Sequence, residues 1–176
     1  FVSLEELLHE SNIVTMHVPL TDNGDDPTLQ MANEEFFHKM SPGTIFINSA
    51  RGAVMSTDSL LAAMDEGLVS HAIIDTWENE PKIRTDLLDL IDIGTPHIAG
   101  YSFDGKVMGT VMVYREACRF LGVEPTWSPE ALLPSPAVPE VTIDAQGLTD
   151  EAALWQIVQQ VYNAEGDDAA LRKNSN

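Results

Sequence analysis

Cysteine is almost absent from the 176 residues: Cys118 stands alone. No internal disulfide is possible, and such usage favours a reducing, cytoplasmic compartment. Basic residues are scarce as well. Nine Lys and Arg face 28 Asp and Glu, giving a net charge of −19 and a pI near 4.3. A surface this acidic repels phosphate backbones and anionic headgroups, which argues against nucleic acid and membrane as partners. The acidic residues are scattered in short pairs rather than gathered in a tail, so their plain role is solvation. No apolar run approaches the ~20 residues of a membrane span. No basic-then-apolar leader is expected, because Phe1 opens directly into a helix signal. What is plentiful is apolar content, 44%, enough to build a core and too much for wholesale disorder. The length suits one domain, or one domain with part of another.

Alternating elements can be read along the first two thirds. Ser3 and Glu6 form a capping box for a short helix to about His9. Residues 13–18 are rich in β-branched residues and stopped by Pro19, which predicts a strand. Asn33 caps a short helix bearing Phe36, Phe37 and Met40. Residues 44–48 read as a strand buried on both faces. Ser56 or Thr57 caps a helix striped with Leu60, Leu61 and Met64, and Gly67 suits its left-handed end. Residues 70–75 predict another buried strand, and an irregular stretch with Leu87, Leu88 and Leu90 leads to a short strand near 91–94. Val107, Val111, Tyr114, Cys118 and Leu121 recur at helical spacing over 103–121. Strands alternating with helices at this pitch predict an α/β fold built on a doubly wound parallel sheet. Five prolines between 125 and 139 mark a linker, beyond which lie a strand candidate at 141–143 and a helix over 149–162.

In an open parallel sheet, ligands bind beyond the carboxyl ends of the strands. Three such ends are chemically unusual here. One runs into Ser49-Ala50-Arg51-Gly52, the next into Thr76-Trp77-Glu78-Asn79-Glu80-Pro81, and the third into Thr95-Pro96-His97-Ile98-Ala99-Gly100-Tyr101. A cation, carboxylates and an imidazole thus fall on one edge. Each has a duller reading: Arg51 as a local cap, His97 as a satisfied core histidine, Glu80 as a loop carboxylate. His9, His17, His38 and His71 lack partners at ligand spacing, so no metal site is expected. Cys118 reads as core. A Gly-x-Gly-x-x-Gly phosphate loop is missing from the chain.

The series Ile47-Asn48-Ser49-Ala50-Arg51-Gly52, then Asp75 with Glu80-Pro81, then Thr95-Pro96-His97-Ile98-Ala99-Gly100 resembles the signatures of the D-isomer-specific 2-hydroxyacid dehydrogenases. The spacing agrees, with Glu80 29 residues after Arg51 and His97 17 residues after Glu80. Residues 92–106, Leu132-Leu133-Pro134 and residues 167–173 are similar to one branch of that family, acting on a phosphorylated 2-hydroxy acid. The resemblance implies a Rossmann-like fold: the second half of an NAD-binding domain over 1–102, a return helix over 103–124 and a proline-rich linker over 125–140. Residues 141–176 would be part of a small α+β dimerisation domain. Family members also carry a substrate domain and the glycine-rich first half of the nucleotide domain, so the chain is expected to be a C-terminal piece, inactive alone.

The implied chemistry is oxidation of a 2-hydroxy acid by NAD in a homodimer. Arg51 would grip the substrate carboxylate through its fork. His97 would exchange the hydroxyl proton, and Glu80 would orient the imidazole. Asp75 would accept from the nicotinamide carboxamide, while Ser49, Ala50, Arg51 and Gly100 would line the cofactor's nicotinamide and ribose. Val18 stands where the family usually has a hydroxyl residue, so only its backbone can serve the cofactor. Tyr101 would touch substrate. Two other readings remain open on the sequence. One is a dehydrogenase for a phosphoglycerate or hydroxypyruvate substrate, against which the proline-rich boundary and the segment after it speak. The other is a non-catalytic dimerisation or nucleotide-sensing module, against which the joint presence of Arg51, Glu80 and His97 speaks.

Overall fold

The computed structural model describes residues 1–175. Four strands form one sheet in the order β1-β2-β3-β4, all parallel: β1 (Ile13–Met16), β2 (Thr44–Asn48), β3 (Val69–Ile74) and β4 (Ile93–Gly94). Helices alternate with them: α1 (Leu4–Glu10), α2 (Glu34–His38), α3 (Thr57–Asp65) and α4 (Thr85–Leu90). After the sheet come α5 (Phe103–Leu121), α6 (Asp150–Val161) and α7 (Ala164–Asn174). This is the expected α/β, Rossmann-like architecture. Among the described residues no helix is long and apolar enough to cross a membrane.

The caps follow the sequence. Ser3, Asn33 and Ser56 each accept from the third backbone N–H of their helix, satisfying a donor that has no intrahelical partner. Gly67 and Gly122 take the left-handed conformation that α3 and α5 need to turn off their axes. The core is dominated by an edge-to-face cluster of Phe36, Phe37 and Phe46, with Leu8, Val54, Met55, Leu60 and Ile74 fully enclosed around it.

One register row crosses the whole sheet: Met16 pairs with Asn48, Asn48 with Ile74, and Ile74 with Gly94. Every strand ends on that row. Val18, Ser49, Asp75 and the segment from Thr95 to His97 therefore leave the sheet at a common edge.

Several local expectations needed correction. The first strand stops at Met16 rather than Val18, because its partner β2 offers no pairing beyond Asn48. β2 is not buried on both faces: Thr44, Phe46 and Asn48 are enclosed, whereas Ile45 and Ile47 are half-buried. The leucine-rich stretch expected to be irregular is α4, whose Leu87 and Leu88 are buried. The strand expected at 141–143 has no regular structure, and among the described residues the segment Gly100–Asn163 contains no strand to pair with it. The second C-terminal helix, α7, had no sequence forecast.

The chain divides into two compact units. One comprises Phe1–Ala99 together with the segment from Ala164 onward, and the other comprises Gly100–Asn163. Within the second unit Ser102 caps α5 by accepting from Gly105 N, and Val111 and Cys118 are buried on that helix. The Tyr114 hydroxyl accepts from the backbone N–H groups of Thr126 and Trp127 and its ring meets Trp127 edge-on, which pins the start of the proline-rich segment to α5.

Candidate active site at the carboxyl edge of the sheet

The site is assembled from three loops that the shared register row brings to one edge. At the end of β2, the fully buried Asn48 builds the first turn. Its Oδ1 accepts from Ala50 N at 3.1 Å and its Nδ2 donates to the Arg51 carbonyl at 3.3 Å, an Asx turn that projects Arg51 outward. Arg51 is exposed, and its Nη1 donates to the Ala50 carbonyl at 2.6 Å. Ser49 is half-buried and Ala50 buried.

The second loop is bound tightly to the first. A Cβ on Gly52 would stand 1.8 Å from the Trp77 carbonyl oxygen, so the two peptide backbones are in direct contact. Trp77 N donates to Glu80 Oε1 at 2.7 Å, and the buried Trp77 ring donates through Nε1 to the Thr95 carbonyl at 2.9 Å. One residue thus links the Arg51 turn, the Glu80 carboxylate and the third loop.

The third loop hangs on Asp75. This carboxylate, 4% exposed, accepts from Thr95 Oγ1 at 2.6 Å, Ile98 N at 2.8 Å and Ala99 N at 3.0 Å. The Asp75 carbonyl also accepts from His97 N at 2.8 Å. His97 itself adopts φ 57°, a left-handed backbone that disfavours any residue with a side chain and persists only when its surroundings impose it.

The result is a defined pair. Glu80 Oε2 lies 2.8 Å from His97 Nδ1. A carboxylate can only accept, so Nδ1 carries the hydrogen, and in the neutral imidazole Nε2 is the nitrogen with the lone pair. Among the described residues no other group bonds to the ring, and the His97 side chain is 43% exposed. A cavity of about 420 Å³ opens beside the pair, lined by Trp77, Lys82, Ile83, Pro96 and, from α7, Leu171 and Asn174. Among the described residues no group of three or more His, Cys, Asp or Glu side chains is arranged to hold a metal.

The expected site residues are therefore distributed as follows. Arg51, Ser49, Ala50, Asp75, Glu80 and His97 gather on one edge of the first unit, with Val18 just beyond β1 and packed against the core. Gly100 and Tyr101 open the second unit, where Lys106 Nζ sits 3.4 Å from the centre of the Tyr101 ring. Sequence reasoning assigned no role to Asn48, whose side chain builds the β2 turn, or to Trp77 and Thr95, which tie one loop to another. A polar residue ending an apolar strand was the available signal for Asn48. Nothing local signals the Trp77 ring or the Thr95 hydroxyl, whose partners lie 18 and 20 residues away.

A parallel sheet with a histidine–carboxylate pair and an exposed arginine at its carboxyl edge defines the class: an α/β domain of the dinucleotide-binding kind. Residues 1–99 match the model of the D-isomer specific 2-hydroxyacid dehydrogenase, NAD binding domain, and the chain belongs to that family. It is 41% identical over 173 residues to the erythronate-4-phosphate dehydrogenase of Escherichia fergusonii, a match covering 98% of this chain and 45% of that protein. The Escherichia coli O139:H28 enzyme of the same name is 40% identical over the same length. The chain thus spans about half the length of the curated relatives it matches. Among solved structures, the apo D-mandelate dehydrogenase of Rhodotorula graminis superposes with a TM-score of 0.58 at 32% identity, covering 68% of this chain and 34% of that one. A glyoxylate reductase from Paecilomyes thermophila gives 0.56 at 28% identity, over 74% and 39% of the two chains.

The cofactor of this domain is NAD, and two buried groups at this edge have hydrogen-bonding capacity to offer a polar ligand. Asp75 uses three acceptor positions internally, leaving about one of the four on a carboxylate for a ligand N–H. Next to it, Thr76 Oγ1 is a buried side-chain polar atom without a partner among the described residues. An unpaired buried hydroxyl at a strand end suits a polar ligand group.

Proposed function

We propose that the chain carries the nicotinamide-side half of the active site of an erythronate-4-phosphate dehydrogenase. The reaction is oxidation of the C2 hydroxyl of 4-phospho-D-erythronate to the 2-oxo acid, a step toward pyridoxal 5′-phosphate. The observation that carries this reading is the Glu80–His97 pair, 2.8 Å between Oε2 and Nδ1, with Nε2 left as an acceptor. When bound, NAD supplies the hydride acceptor.

The remaining work falls to side chains of the chain. Arg51 holds the substrate carboxylate with two parallel N–H donors and so fixes which face of C2 is presented. His97 Nε2 takes the hydroxyl proton as the C2–H bond breaks, and Glu80 balances the imidazolium that forms. In the reverse direction the same imidazolium returns the proton. Asp75 offers its remaining acceptor position to the carboxamide, and the backbones of Val18, Ser49 and Ala50 line the cofactor.

The identity to the erythronate-4-phosphate enzymes, which extends over 98% of the chain and includes the segment after the proline-rich stretch, supports this substrate over a shorter one. Homodimerisation belongs to the same reading. Leu154, Trp155, Val158 and Val161 on α6 are all half or more exposed, the apolar stripe expected of a helix that is covered by a partner. The reading is tested in the intact dehydrogenase by following NADH formation with 4-phospho-D-erythronate, 3-phosphoglycerate and glycerate. A kcat/KM at least ~10-fold higher for 4-phospho-D-erythronate is expected, the discrimination given by about 1.4 kcal/mol. Equal or better turnover of either other acid overturns it.

A further inference from the structure

The segment that carries His97 is held by little of its own. β4 is two residues long, lies at the edge of the sheet and pairs with β3 alone. Three residues beyond it, His97 sits in a left-handed conformation that must be imposed from outside. Asp75 supplies one restraint from the β3 side. Trp77 adds a second through the Thr95 carbonyl, and a further one comes from far along the chain, in α7.

Asp168 Oδ1 accepts from the backbone N–H of Gly94, in β4, at 2.7 Å. Arg172, one turn further along α7, donates through Nε to Asp168 Oδ2 at 2.8 Å. The other two nitrogens of the same guanidinium grip the end of α4: Nη2 donates to the Ile91 carbonyl at 2.9 Å, and Nη1 to that of Leu88. The last carbonyls of a helix lack intrahelical donors, so Arg172 serves as a side-chain cap for α4. One ion pair therefore spans the joint between α4 and β4, and both of its members are well covered, with 16% and 31% of their side chains exposed. The same helix lays Leu171 and Asn174 along the cavity beside Glu80 and His97.

We propose that Asp168 and Arg172 are positioning residues for His97: by clamping Gly94 and the end of α4, they fix where the imidazole meets Glu80 and the reacting hydroxyl. This rests on the reading of His97 as the proton acceptor given above. A general base works only within hydrogen-bonding reach, and misplacement by ~1 Å costs ~10²-fold in rate. Substrate binding through Arg51 does not pass through the clamp, so the loss belongs in kcat.

The experiment uses the intact dehydrogenase with Asp168→Asn and, separately, Arg172→Lys, which keeps the charge and loses the fork. Each is expected to lower kcat ~10- to 100-fold, with KM for the hydroxy acid within about threefold. The low-field proton signal of His97 Nδ1–H, read by NMR on enzyme carrying labelled histidine, should broaden or move. Leu60→Ala, a core truncation in α3 remote from the clamp, is the stability control, expected to lower Tm while leaving kcat and the proton signal unchanged. Unchanged kcat and unchanged signal in whichever clamp variants fold overturn the proposal, as does an equal kcat loss in Leu60→Ala. His97→Ala separates the two levels. If it retains turnover, the assignment of the base fails; if it abolishes turnover while the clamp variants remain fully active, only the positioning role fails.

Discussion

Gly52 and the carbonyl of Trp77 touch backbone to backbone, and a methyl group on Gly52 would lie 1.8 Å from the Trp77 oxygen and 2.1 Å from its carbon. Both neighbours are main chain, so no rotamer change relieves the overlap. The glycine after Arg51 is thus required by the packing of the β2 loop on the β3 loop, not by an unusual dihedral. Gly52→Ala is expected to destabilise the fold by ~1–3 kcal/mol, the usual cost of overpacking. It should also displace Arg51 and Glu80 together. Urea unfolding gives the first number, and a raised KM accompanied by a lower kcat in the intact enzyme gives the second. A variant with parental stability and kinetics would show that the loops part at no cost.

Replacement of the groups proposed to act on substrate separates their roles. His97→Ala should lower kcat by ~10²- to 10⁴-fold, the range for a lost general base. Glu80→Gln keeps an acceptor for Nδ1–H but removes the charge that balances the imidazolium, so a smaller loss in kcat is expected at little change in KM. Arg51→Lys should raise KM for the hydroxy acid strongly, because an ammonium cannot reproduce a planar fork. Steady-state kinetics in the oxidative direction check all three, and near-parental values for His97→Ala would remove the assignment.

Asp75 is the buried hub of the His97 loop, with three donors converging on one carboxylate. Asp75→Asn leaves one carbonyl oxygen for the three of them and turns an NH₂ group toward donors. A loss of about 1–3 kcal/mol is expected for each donor left without a partner. Chemical denaturation measures it. Thr95→Val, which removes a single hydroxyl donor from the same hub, should cost less than Asp75→Asn.

The clamp has a pH signature. Burial pushes the Asp168 carboxyl up, but hydrogen bonds from Arg172 and from Gly94 N–H, with the charge of Arg172, outweigh it and hold the group below its ordinary value of 3.8. A carboxyl depressed in the folded state contributes stability that is fully present above its unfolded value and is lost as pH falls through the folded one. The difference in Tm between the parent and Asp168→Asn should therefore be constant near neutrality and shrink below about pH 3.8. A difference that instead grew on acidification would contradict the linkage.

The 176-residue chain by itself should bind NAD weakly. A dinucleotide is held chiefly by its pyrophosphate on the N–H groups of a glycine loop that opens a helix, and the sequence contains no Gly-x-Gly-x-x-Gly. The net charge of −19 further opposes an anionic ligand. Calorimetric titration is the direct measurement, and micromolar affinity would mean that the nicotinamide-side contacts suffice alone.

Helices and strands were legible wherever one local signal fixes them. Ser3, Asn33 and Ser56 announce their helices because a cap bonds to a donor three residues away. Residues 44–48 announce a strand because five consecutive residues of that pattern suit little else. The Leu87–Leu88 pair was ambiguous for the opposite reason. α4 has six residues, too few for a helical period to emerge, and only burial of its leucines against the sheet selects the helix. Residues 141–143 have strand composition, but a strand is a relationship between two segments, and composition cannot supply the second.

The site divides in the same way. The sequence by itself determined which residue types are present and, through the α/β alternation, that Arg51, Glu80 and His97 leave the sheet at its carboxyl edge. Their spacing of 29 and 17 residues follows from intervening elements whose lengths are read directly. Tertiary structure alone decided that Glu80 bonds Nδ1 of His97 rather than solvent, that Trp77 joins all three loops, and that α7 reaches back across more than seventy residues to hold Gly94. Such contacts depend on where separate elements come to rest, which packing of the core fixes and local sequence does not encode.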